Sequence, residues 1–152
     1  MNKLLTKLWP SVGAGVVAVV LCTGCSTMGG ERSAGTQVKL TGDQEVPAVK
    51  TSGSGNGTIV VAADKSVSGS IKTTGVNGTV AHIHDSTPGQ MCGAKNGPVI
   101  IPLTKGPDDT WSVPAGSKLT DAQYESFKAG NLYVNVHTAE NKSGEICARL
   151  KP

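Results

Sequence analysis

Two short runs carry all three histidines of this chain, and their alternation leaves few folds open. They are Thr79-Val80-Ala81-His82-Ile83-His84 and Leu132-Tyr133-Val134-Asn135-Val136-His137. Successive side chains of a strand point to opposite faces. Val80, His82 and His84 therefore share one face, and Ala81 and Ile83 the other. In the second run Tyr133, Asn135 and His137 lie opposite Val134 and Val136. If Ile83, Val134 and Val136 enter a core, every imidazole points the other way. Two readings of that polar face stand open. Its rings bond neighbouring side chains and carbonyls, or they converge on a borderline transition metal, for which neutral imidazole suits copper or zinc.

The rest of the chain supports strands around these two. Gln37–Leu40, Thr58–Ala63, Ser66–Thr74, Val99–Leu103, Trp111–Val113 and Glu145–Leu150 are short runs rich in β-branched residues or alternating in pattern. Twenty glycines punctuate the sequence; Gly75-Val76-Asn77-Gly78 reads as a turn, and so does Gly53-Ser54-Gly55-Asn56-Gly57. Pro102 predicts an edge or a strand end. A single helix interrupts the strands. Thr120-Asp121-Ala122-Gln123 has the capping-box pattern, and Gly130 stops the helix near Ala129. The expected class is all-β: a Greek-key-like sandwich or barrel of about eight strands, with one short helix before a C-terminal hairpin. Trp111 and Phe127 are read as core. Gly-x-Ser-x-Gly elbows and phosphate-cradling glycine loops before a helix are absent, so no catalytic residue is assigned and a binding role is favoured over enzyme chemistry.

The first 24 residues are set apart from the fold. Lys3 and Lys7 precede the apolar run Ser11–Leu21, which is too short to span a bilayer as a helix. Leu21-Cys22-Thr23-Gly24-Cys25 resembles the lipobox of bacterial lipoproteins, with Cys22 in place of the usual aliphatic residue. That resemblance implies cleavage before Cys25, its lipidation, and a membrane anchor stronger than one acyl chain provides. Ser26 after the cysteine implies the outer membrane, the domain facing the periplasm or the cell surface. Residues 25–36 read as a flexible tether and 37–152 as one domain. The leader holds two lysines and no acid. The chain's 14 basic and 11 acidic side chains thus leave a nearly neutral domain, which argues against nucleic acid as a partner. In an oxidising compartment Cys92 and Cys147 are the pair left after acylation. A disulfide is the default reading and a thiolate metal site its rival.

Glu45-Val46-Pro47, Ala81-His82-Ile83-His84, Gly97-Pro98-Val99, Tyr133-Val134-Asn135-Val136-His137-Thr138 and Gly144-Glu145-Ile146 stand in an order that resembles CHRD (chordin) domains over about residues 37–150. Such domains occur in the extracellular antagonist chordin and in many bacterial secreted proteins and lipoproteins. The resemblance implies an extracytoplasmic β-domain. Here the stretch after His84 is longer than usual and carries Cys92, while Cys147 stands where the family often has Arg. Added together, the two make sense as one bridge, fastening that loop to the last strand and partly over the histidine face. A fainter likeness is to copper/zinc superoxide dismutase. There too a His-x-His strand precedes a loop cysteine bridged to the C-terminal strand, and His82, His84 and His137 match the three copper ligands in pattern. Arg149 falls near the place of the superoxide-guiding arginine.

The candidate site is therefore His82, His84 and His137. Glu45 or Glu145 serves as a further ligand or accepts a ring N–H; their structural alternative is turn chemistry and an ion pair with Arg149. Tyr133 and Asn135 orient these groups, and Met91 is a loop residue or a soft copper ligand. Three functions follow: a lipid-anchored envelope module binding a protein or small ligand, with a histidine metal site; a copper-dependent redox enzyme of superoxide dismutase type; or a structural envelope protein without ligand.

Overall fold

The alternating runs fold as strands in a single antiparallel sheet. The computed structural model describes residues 35–86, 92 and 95–152. The leader, Cys25, most of the tether and Met91 lie outside the described residues. The strands are β1 Thr36–Thr41, β2 Ser54–Val61, β3 Val67–Thr74, β4 Val80–Asp85, β5 Val99–Pro102, β6 Thr104–Lys105, β7 Thr110–Ser112, β8 Leu132–His137 and β9 Ile146–Arg149. Their order across the sheet is β5-β4-β8-β9-β1-β2-β3-β7-β6. The link between β5 and β6 bends back to β4, where the Leu103 amide donates to Ala81 O at 2.9 Å. The two ends of the sheet thereby meet, and the sandwich-or-barrel alternative resolves as a nearly closed barrel. Closure leaves little unpaired edge.

The inward face carries the apolar members of each alternation. Leu40, Ile59, Ile71, Ile83, Trp111, Leu132, Val134, Val136, Ile146 and Leu150 are all buried. Trp111 keeps its indole N–H satisfied, donating to Thr73 Oγ1 at 3.4 Å. One helix, α1 Asp121–Lys128, packs Phe127 into this core. Its start is the capping box read from the sequence: Gln123 N donates to Thr120 Oγ1 at 3.2 Å and Thr120 N to Gln123 Oε1 at 2.9 Å. Gly130 follows with φ +73°, the left-handed conformation that ends helices.

One expectation is corrected. Gly53–Gly57 is not a turn, because Ser54–Gly57 is the first half of β2, paired with β1 and β3. The glycines serve close approach between strands. A Cβ on Gly57 would stand 2.1 Å from Ser70 O, so no side chain fits there.

The outward face of β4, β8 and β9 is not left to solvent. All six residues of β8 are buried, including Tyr133, Asn135 and His137. The cover consists of three segments: the turn after β1, the chain leading into β5, and the β8–β9 connection. Cys92 and Cys147 are joined by a disulfide that ties the second segment to β9, and the rival reading of two thiolate ligands falls with it. The bridge spans a sequence separation of 55, worth about 4 kcal/mol in chain entropy. Around it Val46 N donates to Cys92 O at 2.8 Å, and Asn96 Nδ2 to Ser143 O at 2.6 Å. The cover is thus stitched both to the sheet and to itself.

Candidate metal centre

Register places the histidines. β4 and β8 pair so that His82 faces Asn135, His84 faces Tyr133 and Val80 faces His137. No two histidines are direct cross-strand partners, yet their rings meet. His82 Nδ1 lies 3.2 Å from His137 Nε2, and His84 Nε2 lies 3.4 Å from the same atom. One nitrogen of each ring falls in a set whose members all lie within 4.8 Å of one another. Ligands about 2.0–2.1 Å from a tetrahedral ion stand about 3.3 Å apart, which is the spacing of the two short pairs. His84 and His137 are buried, and His82 is the half-exposed member.

The tautomers are set by the backbone. His84 Nδ1 sits 2.8 Å from Gly97 O and His137 Nδ1 sits 3.0 Å from Lys142 O. A carbonyl accepts only, so each of these nitrogens carries the proton and each Nε2 presents a lone pair. Two lone pairs consequently face each other across 3.4 Å. Protonation is opposed by burial, which lowers His82 and His137 and takes His84 down to about 4; the Gly97 carbonyl only partly offsets this, and the neighbouring imidazoles add to it. The rings are neutral at pH 7, as metal ligands must be. Tyr133 stacks on His84 with centroids 5.1 Å apart and planes at 10°. Its hydroxyl donates to Asn96 Oδ1 at 3.0 Å and accepts from Gly97 N at 3.1 Å. Tyr133 and Asn96 thereby hold both the ring and the carbonyl that orients it.

Neither glutamate joins the cluster, whose members among the described residues are the three histidines alone. Glu145 accepts from Thr51 Oγ1 at 2.7 Å and from Asn141 Nδ2 at 3.3 Å, the turn role weighed for it. Arg149 Nη1 donates to Gly130 O at 2.6 Å. Glu45 is buried beside Asn135 and close enough to Tyr133 to raise its phenol, yet outside the histidine cluster. Its two carboxylate oxygens and Asn135 Oδ1 have no hydrogen-bond partner among the described residues. Gly144 packs directly on them, since a Cβ there would fall 2.5 Å from Glu45 Oε1 and 2.4 Å from the Asn135 amide. The ring N–H acceptors are instead the carbonyls of Gly97 and Lys142. Sequence reasoning missed them because a backbone acceptor has no side-chain signature.

Burial raises the Glu45 carboxyl from 4.5 to about 7. The folded state therefore holds this proton more tightly than the unfolded chain, and stability is lost as pH rises from about 4.5 to 7. His84 works in the opposite sense, losing stability as pH falls below 6.5. Comparing wild type with Glu45→Gln cancels the histidine contribution. The amide should be more stable at pH 8, by about 3 kcal/mol at 1.36 kcal/mol per pKa unit, with the gap closing toward pH 4.5. Urea titrations at the two pH values check this, and a pH-independent difference contradicts it.

A nearly closed β-barrel with a three-histidine cluster beneath a disulfide-fastened cover defines the class: an all-β domain able to hold a metal ion. The family model of the CHRD domain matches residues 36–150, essentially the whole described structure, and the chain belongs to that family. No curated protein and no solved structure matches it.

Proposed function

We propose that this chain is a lipid-anchored cell-envelope protein whose CHRD domain binds one transition-metal ion through His82, His84 and His137. One observation carries the reading: backbone carbonyls lock His84 and His137 so that their Nε2 lone pairs meet at 3.4 Å, and His82 Nδ1 comes within 3.2 Å of the same point. Two things relieve the crowding of nitrogens: a hydrogen bond from His82 Nδ1 to His137 Nε2, which leaves His84 Nε2 unserved, or one ion, which serves all three rings. Copper and zinc are the ions whose chemistry suits such donors. The lipobox-like Leu21–Cys25 supports the anchor, and the disulfide is consistent with an oxidising compartment.

Expressing the full chain in a Gram-negative host tests both halves. The protein should fractionate with the outer membrane and, when purified in detergent, take up one equivalent of copper or zinc by elemental analysis. Recovery as a soluble protein removes the anchor. Failure to take up any metal removes the site and leaves a structural or partner-binding envelope domain. A second reading, superoxide turnover at the same centre, is favoured by the half-exposed His82 edge, where a small molecule can approach. The absence of turnover in copper-loaded protein dismisses it.

A further inference from the structure

Resting on that metal-binding reading, we propose that the three-histidine centre selects monovalent over divalent ions and that its resident metal is Cu(I). Imidazole serves copper in either oxidation state and serves zinc as well, so ligand softness does not separate the ions here. Charge does. The cost of taking an ion out of water grows with the square of its charge, and a buried dication needs negative partners to offset it.

This centre supplies none. The cluster contains three neutral rings and, among the described residues, no carboxylate or thiolate. The sulfurs of Cys92 and Cys147 are spent on each other. The acceptors that orient two of the ligands are neutral too. Zinc-bound histidines commonly donate to a carboxylate that offsets the metal's charge, whereas His84 and His137 donate to the carbonyls of Gly97 and Lys142. A three-imidazole zinc centre fills its fourth position with water and lowers its charge by ionising that water. That hydroxide would be the only anion in the cluster among the described residues. Cu(I) needs neither, because three nitrogen donors complete its coordination and its single charge asks for less compensation.

The test is a competition on the full-length protein under anaerobic conditions. Apo protein is titrated with Cu(I) against bicinchoninate, and with Cu(II) and Zn(II) against chelators of matched strength. Cu(I) should be held at least about 100-fold more tightly than Cu(II). The bound couple then lies about 120 mV above the aqueous copper pair in the same buffer, at about 59 mV per tenfold. One equivalent of Cu(I) should also displace Zn(II). A potential at or below the aqueous pair, or zinc that resists displacement, overturns the proposal while leaving metal binding intact. Binding of none of the three ions takes the underlying reading down with it.

A second variant tests the cause. Val80 is 45% exposed and lies across from His137 on the ligand face, so Val80→Glu adds one negative charge at the rim without disturbing the core. It should lower the potential and strengthen Zn(II) relative to Cu(I). An unchanged potential shows that charge does not set the preference.

Discussion

Metal loading should raise the unfolding midpoint of this protein, and His137→Ala should abolish the rise. An ion that binds only the folded state adds RT ln(1 + [L]/Kd), about 4 kcal/mol at a thousandfold excess over Kd. For a domain of this size that corresponds to a shift on the order of 10 °C. His137 is the sensitive position because both short nitrogen–nitrogen approaches converge on its Nε2. His82→Ala should cost less, since the ring is half-exposed and no backbone carbonyl fixes it among the described contacts. Differential scanning calorimetry with and without metal gives the order, and circular dichroism confirms that the variants fold. Equal metal-induced shifts in wild type and His137→Ala exclude the cluster as the site. Burial holds all three rings neutral below their ordinary pKa, His84 down to about 4, so loss of binding on acidification should set in below pH 6.5.

Removing the Cys92–Cys147 bridge should have the second large effect, and a double one. Serine at both positions releases a loop of sequence separation 55, a loss of about 4 kcal/mol. The same substitution frees the segment that carries Asn96 and Gly97. Without it the Gly97 carbonyl no longer fixes the His84 tautomer, and Asn96 no longer joins Tyr133 to Ser143. Loss of such orienting groups typically weakens metal binding 10–100-fold. The two effects are read separately, by urea unfolding followed through Trp111 and by chelator competition well below the denaturation midpoint. A double variant that keeps full metal affinity while losing stability shows that the cover is a staple and nothing more.

The contrast between the two acids illustrates how far residue patterns carry. Glu45 and Glu145 both lie in motifs of the family, and either was a reasonable ligand on paper. Glu145 turns back onto Thr51 and Asn141. Glu45 is drawn under Gly144 and Asn135, outside the imidazole cluster, where burial favours its proton. Nothing in Glu45-Val46-Pro47 distinguishes these fates, because side-chain environment depends on which loops close over the sheet. The glycines of β2 carry the same lesson. In sequence they look like a turn; only the approach of β3 to within contact of Gly57 shows why a strand needs them.

Period-two alternation, the capping residues of the helix and the pairing of two cysteines are properties of short stretches of chain or of redox chemistry. Sequence was enough to put the three imidazoles on the face opposite Ile83, Val134 and Val136, to begin a helix at Thr120, and to make a Cys92–Cys147 disulfide the default over a thiolate metal site. The meeting of the rings at one point is of a different kind. His84 is registered against Tyr133 and His137 against Val80, so their contact depends on the twist of the sheet and the direction of each ring. The carbonyls that fix two of those rings come from Gly97 and Lys142, in loops whose paths are set by the disulfide and by Asn96. Local pattern decides which face a side chain takes; distances between faces, and backbone acceptors brought from elsewhere, exist only once the barrel has closed.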